Sequence, residues 1–505
     1  MTKKSEIKIV EKEFLTYVKK MRHLEEANAL LYWDLRTKAP KKAAPYRAET
    51  IGTLSMLAQK RLLSKKMKNY LTVLGKKENA RFLKSTTRLM VKDLKKEYKL
   101  YKKIPLEEYE AYTILASESE TVWEEAKEKK EFSILQPYLE QLVTYQKRFI
   151  RYWGKKNHPY DALLDLYEPG MTVSVLDQIF DRIKSEIIPF VKEINEYGKR
   201  VDTSFLTAKV SKEKQVQLSE EVLKLMGYDF LAGRLDDTEH PFETSIHPSD
   251  VRITNRYVER DFTVSFFGVM HEGGHAIYEQ NISDRLMRTN LYDGASMGMH
   301  ESQSLFFENI VGRSPSFWEY FSPVLKKEVP DFKNISQKQI IQAVNRAKPS
   351  LIRIEADELT YVLHIIIRYE IEKMLFNDEI EVSDIPKVWN ALYEQYLGIT
   401  PAHDGEGVLQ DVHWAGGDFG YFPTYALGFI YAAQLRHAMN AQLSFDVMLA
   451  EGNLKPIVKW LTDRIHQYGK TKKPLDLLLE ATGESLNVSY YIDYLKEKYT
   501  KIYLQ

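Results

Sequence analysis

His271, Glu272 and His275 stand in the order H-E-x-x-H within Asp261 to Gln280, DFTVSFFGVMHEGGHAIYEQ. Residues four apart share a helix face, so both imidazoles can reach one metal ion. Glu272, one step round, can reach a water on that ion and take its proton. Two histidines leave a hydrolytic zinc ion one protein ligand short. Glu301, in MHESQSLFFEN, is the candidate third ligand, because His300 to Ile310 reads as a second helix that can face the first. Glu308, about two turns further along that helix, is the alternative. His300 is expected beside the site rather than on the metal.

A surface helix with two unrelated histidines would show the same five-residue pattern, so the context matters. The flanks FFGVM and AIY are apolar, which predicts a buried helix where unpaired polar groups would be costly. Gly273 and Gly274 fill the two x positions. A glycine inside a helix costs roughly 1 kcal/mol against alanine, so the pair implies close approach of substrate or of a packed strand.

The elements that must position these groups can be read along the chain. Residues 5–30 have helical spacing and lead into ALLYWDL, after which KAPKKAAPYRAET reads as a helix end, a loop and a new start. Helical pattern continues from Arg47 to Glu140 with breaks near Gly75 and Pro105, and on to residue 150, with Trp123, Phe132, Leu139, Leu142 and Phe149 as core contacts. Residues 153–174 read as a connection. Ser174 is the expected N-cap of an amphipathic helix through Leu176, Ile179, Phe180, Ile183 and Ile187, which Pro189 should kink or end. Ser211 starts a further helix that Gly227 stops. Between 240 and 268, HPFETSIHPSDVRITNRY and DFTVSFF alternate with period two, which predicts a small antiparallel sheet with VERD as its turn, directly ahead of the metal helix. Such a hairpin could offer its edge to an extended peptide. Another helix is expected from Asp357 to about Phe376, and a glycine-rich break over 398–420.

The chain has 505 residues, 44% of them hydrophobic, enough for a sizeable core. Length alone would suggest about three domains, but no linker divides the chain, and residues 1–505 are read as one catalytic unit whose helical portion, about 1–205, covers the groove. Lys+Arg number 72 against Asp+Glu 71, so overall charge points to neither nucleic acid nor acidic membrane as partner. The run Lys92 to Lys103 reads as a solvated helix face. With no cysteine, thiolate ligands and disulfides are excluded and a transition metal must take His, Asp or Glu. The start MTKKSEIKIVEKEF has no signal-peptide core and no apolar run reaches the ~18 residues of a membrane span, so a cytoplasmic location is expected.

Further short motifs accompany the H-E-x-x-H stretch: His240-Pro241-Phe242; Asp250, Arg252 and Thr254; His300-Glu301-Ser302-Gln303; Arg353 to Glu358, RIEADE; and Gly407, Gln410, Asp411, His413 and Trp414. Together they resemble the Taq-type metallocarboxypeptidase family, with length and helical pattern agreeing over the whole chain. The resemblance implies a mainly α, multi-helical metallopeptidase fold like that of neurolysin and angiotensin-converting enzyme, with a deep groove. It also implies a homodimer, Zn2+ as the metal with Co2+ as an alternative, and release of single amino acids with broad specificity from peptides with a free C-terminus.

Whatever the family, a metal-bound water attacking a peptide carbonyl needs hydrogen-bond donors for the oxyanion. His413, Tyr421 and Tyr425, in HWAGGDFGYFPTY, are the candidates, with core packing as the other reading of the tyrosines. A terminal carboxylate suits an arginine fork. Arg353, Arg252 and Arg346 are available; the resemblance favours Arg353, Arg252 could instead brace the hairpin against Asp250, and Arg346 reads as a surface residue. His240, in the HPF motif, joins Arg252 as a substrate-side candidate. Asp357 and Asp411 are either outer partners of the ligand histidines or helix-capping and loop-bracing residues. The rival functions are an oligopeptidase of the same clan, separated only by the carboxylate clamp, and an inert helical scaffold, which would bind no stoichiometric metal.

Overall fold

The computed structural model describes residues 2–154 and 156–505. It is built mainly of helices around one small sheet. The first helix, Lys3–Thr37, starts where the Thr2 side chain accepts from the Ser5 N–H and delivers Trp33 onto the sheet, 5.4 Å from the Phe242 ring. Pro45 sits in the first turn of the next helix, Ala44–Leu62, where its missing N–H costs nothing. The expected breaks fall at Gly75, which closes Lys65–Leu74, and at Pro105, which opens Leu106–Lys129. Phe132, Leu139, Leu142 and Phe149 are buried, as the pattern requires, and Trp123 is half-buried.

Three boundaries differ from the sequence reading. The connection over 153–174 holds a short helix, Asp161–Tyr167; Lys155 within it lies outside the described residues. The amphipathic helix begins two residues early, Val173–Tyr197 with Thr172 rather than Ser174 as its N-cap, and it runs past Pro189 to Tyr197. Proline removes one hydrogen bond, but Phe190, Val191 and Ile194 beyond it are buried, and packing of an apolar face supplies most of a helix's stability. Ser211 and Gly227 bound Lys212–Met226 as expected, the serine accepting from the Lys214 N–H and the glycine turning at φ 91°.

The sheet is mixed rather than antiparallel. Strands β1 (Leu235–Asp237), β2 (Glu243–His247) and β3 (Asp250–Asn255) lie in the order β1-β3-β2. β2 and β3 are antiparallel, and β1 joins β3 in parallel. The hairpin turn is at Pro248-Ser249, not at VERD, and DFTVSFF is no strand. The Asp261 side chain accepts from the Thr263 N–H and caps a helix over Phe262–Gln280. That helix is enclosed on almost all sides: Phe262, Phe266, Phe267, Val269 and Met270 are all buried. A helix apolar all round loses its period, so its first turns imitate a buried strand.

The metal helix is stacked between Lys212–Met226 on one side and Met297–Leu305 on the other, and the latter packs on Pro423–Asn440. No helix among the described residues is long and apolar enough to cross a membrane.

Candidate metal centre

The close approach at the two glycines comes from these helices, not from substrate or a strand. A Cβ on Gly273 would stand 2.6 Å from Leu223 Cδ2. One on Gly274 would stand 2.5 Å from the Gln303 carbonyl oxygen and 2.7 Å from Ser304 Cα. A Cβ on Gly428, in the helix behind, would meet Glu301 Cγ at 2.7 Å. Absent side chains thus let the helix bearing Glu301 lie against both neighbours. The start of that helix is held by Ser296, which accepts from Met299, and by buried Glu168, which accepts from the Gly298 N–H at 3.0 Å and Tyr431 Oη at 2.9 Å.

The stacking brings three donors together. Nε2 of His275 and of His271 lie 3.4 and 3.8 Å from Glu301 Oε2. One ligand atom from each residue falls within 4.8 Å of the others. Two imidazole nitrogens and one carboxylate oxygen are the donor set of a catalytic zinc site that keeps a position for water.

Glu308 is not on that triangle. At Phe306 the helix changes to a π-helical segment, Phe306–Val311, a widening common at functional sites. There Glu308 accepts from His271 Nδ1 at 2.9 Å and from Arg313 at 3.3 Å. His300 lies beside the centre, as expected: its Nδ1 is 2.6 Å from His275 Nδ1, and its Nε2 is 3.0 Å from Glu279 Oε1. A bound cation would need a free lone pair on His275 Nε2; a proton on His275 Nδ1 directed at His300, and one on His300 Nε2 directed at Glu279, would leave it so. Glu308 would do the same for His271. Outer partners of this kind fix tautomer and ring orientation. Glu308→Gln is therefore expected to weaken metal binding by about 10–100-fold, measured by competition with a chelator of known affinity.

Asp357 and Asp411 do not hold the ligand histidines. Asp357 accepts from the backbone of Lys348, Leu359 and Thr360 at 2.9 to 3.0 Å, ahead of the helix Tyr361–Phe376. Asp411 bridges Arg353 and Arg368. The partners are instead Glu308 for His271 and His300 for His275, with Glu279 behind His300.

Electrostatics follow from burial. Burial pushes the Glu272 carboxyl up to about 7. Burial would also raise Glu301, but the two histidines hold it at about 2. His271 resists burial because Glu301 and Glu308 press on it, and it rises to about 10.

His413, Tyr421 and Tyr425 form one half-buried cluster. His413 Nε2 is 3.2 Å from Tyr425 Oη, and the Tyr421 ring is 5.0 Å from Tyr167. Burial lowers His413 to about 4, so it is neutral at pH 7. Arg353 is buried, bound to Asp411 at 2.9 Å and to Tyr361 Oη at 2.7 Å, with its guanidinium 4.9 Å from the Tyr425 ring centre. Arg252 grips Asp250 with two bonds of 2.7 and 2.8 Å and lies 5.6 Å from the Trp33 ring. It braces the hairpin. Arg346 is exposed. His240 is exposed too, in a hollow with Arg36, Asp237 and Arg256, none of them a residue of the metal centre. A cavity of about 650 Å³ lies between the N-terminal helices and the 413–421 loop, lined by Glu97, Tyr109, Tyr167, Asp293, Gly416 and Asp418 among others.

A helical body presenting H-E-x-x-H and a glutamate from a neighbouring helix defines a metallopeptidase. The profile of the Carboxypeptidase Taq (M32) metallopeptidases matches residues 13–499, and the chain belongs to that family. It is 54% identical to Carboxypeptidase 1 of Bacillus subtilis, over 99% of this chain and 100% of that one. Identity to Thermostable carboxypeptidase 1 of Thermus thermophilus is 38%, over 97% and 98% of the two chains. The solved structure of an M32 carboxypeptidase from Deinococcus radiodurans R1 superposes with a TM-score of 0.95 at 31% identity, covering 98% of this chain and 99% of that one. The protein is thus a metallocarboxypeptidase that works with a metal ion.

Proposed function

We propose that the protein removes single amino acids from the C-termini of peptides with broad specificity, using zinc at His271, His275 and Glu301. The observation that carries the reading is the convergence of the three ligand atoms within 4.8 Å, with Glu272 on the same helix. A bound zinc ion would polarise the scissile carbonyl and acidify its water; cobalt suits the same donors. Glu272 takes the water's proton and hands it to the leaving amine. Tyr421, Tyr425 and His413 donate to the oxyanion. The contact of His413 with Tyr425 at 3.2 Å, and the influence of the Glu301 charge on Tyr421 and Tyr425, support that reading.

Arg353 receives the terminal carboxylate. Arg353 and Arg368 share one aspartate, Asp411, so the buried group carries a surplus positive charge that an anion would balance. Arg252, matched by Asp250, and exposed His240, away from the metal centre, are left out of the substrate site. A cytoplasmic setting and assembly as a homodimer complete the reading, the dimer resting on the family resemblance.

The test compares a peptide with its C-terminal amide. Loss of the carboxylate's charge-assisted hydrogen bonds, worth ~1.5–3 kcal/mol each, is expected to lower kcat/KM by at least tenfold. Mass spectrometry on the free acid should show residues leaving one at a time. Equal turnover of acid and amide would instead indicate an oligopeptidase.

A further inference from the structure

Glu372 lies on Tyr361–Phe376 and is fully buried. Its carboxylate accepts three hydrogen bonds: from Tyr160 Oη at 2.5 Å, Trp414 Nε1 at 2.7 Å and the Gly420 backbone N–H at 2.7 Å. No cation pairs with it among the described residues, and burial pushes it up to about 7. Two of its donors come from one loop. Trp414 directly follows His413, and Gly420 directly precedes Tyr421. Both ends of the loop segment are therefore tied to one carboxylate. The third donor sits at the head of Asp161–Tyr167, against which Gly420 is pressed: at its φ of 90°, a Cβ would stand 2.8 Å from the Leu163 carbonyl carbon. The crown of the loop has separate supports, with Gly417 O accepting from Gln146 at 3.0 Å and from Tyr112 at 3.2 Å.

We propose that Glu372 is a positioning residue for peptide hydrolysis, which sets His413 and Tyr421 by anchoring the residues next to them. The inference rests on the reading of His413 and Tyr421 as oxyanion donors.

Glu372→Gln tests it, because glutamine keeps the size but has one acceptor oxygen. With that oxygen at the Tyr160 and Gly420 side, the amide NH2 opposes the Trp414 N–H; flipped, it opposes the Gly420 N–H. Trp414→Phe removes the first clash. Misplaced catalytic groups cost up to ~10²-fold, so Glu372→Gln is expected to lower kcat on that order, with little change in KM and full metal content. Glu372→Gln/Trp414→Phe should recover kcat to near that of Trp414→Phe alone. Wild-type kinetics in Glu372→Gln, with His413→Gln and Tyr421→Phe impaired, would overturn the inference and keep the loop reading. A double variant well below Trp414→Phe alone would also overturn it. If His413→Gln and Tyr421→Phe keep wild-type kcat, the loop reading fails and the inference with it. Should Glu372→Gln not fold, Trp414→Phe is expected to lower kcat and Tyr160→Phe to spare it; equal effects overturn the proposal.

Discussion

Replacing Glu272 by glutamine is expected to lower kcat by about 10²–10⁴-fold, the range of a positioned general base, while one metal ion per chain stays bound. The carboxylate is on the metal helix but outside the three-ligand set, so the amide removes proton transfer without removing a ligand. The pH dependence has a definite sign. Glu272 works as a base only when ionised, and burial pushes it up to about 7. Activity therefore rises with pH through its titration, and a bound cation shifts that limb downward. Residual activity of Glu272→Gln should lack the limb. Metal analysis alongside a pH profile of kcat/KM checks both parts; a variant that keeps wild-type kcat would remove Glu272 from the mechanism.

Stripping the metal, or replacing Glu301 by alanine, is expected to abolish turnover, and stoichiometric zinc or cobalt should restore the stripped wild type but not the variant. The structure adds how the ion should bind. Before it arrives, His271 is held protonated, up to about 10, by Glu301 and Glu308 against the cost of burial. A ligand nitrogen must be free of its proton, so binding near pH 7 is expected to release at least one proton per ion, from His271 and in part from Glu272, and affinity to climb at least about tenfold per pH unit. Calorimetry in buffers of differing ionisation enthalpy reads that proton directly. The ion also binds only the folded chain, adding about 2.7 kcal/mol of stability at 100 Kd, so the melting temperature should fall on chelation. An enzyme fully active after exhaustive chelation, or metal uptake without proton release, would contradict these expectations.

The parts of the centre legible in the sequence are those encoded by short spacing. His271 and His275 share a helix face by arithmetic, and Glu301 stands out because a third ligand is required and a second helix is visible. The helix bounded by Ser211 and Gly227 carries its caps in its own residues. DFTVSFF imitates a strand because enclosure, a tertiary property, erases the helical period; Asp261, a capping residue two before Thr263, is the local clue. The roles of Glu308, His300, Asp357 and Asp411 depend on which helices meet. Glu308 in particular reaches His271 from a segment whose π-helical widening nothing in FFENIV announces. Glu372 leaves no sequence signal, since its three donors lie 212, 42 and 48 positions away.

The glycine contacts behind the ligands give the centre its manufacturing tolerance. A methyl group at position 274 would have to push the neighbouring backbone from 2.5 Å to ordinary contact, a retreat of about 1 Å. Glu301 rides on that helix, and metal–ligand distances hold to about 0.2 Å. At position 428 the added methyl would press on Glu301 itself, at 2.7 Å. The bore of the chelate is therefore gauged by backbone spacing. One inert carbon placed away from any ligand atom is enough to put it out of specification.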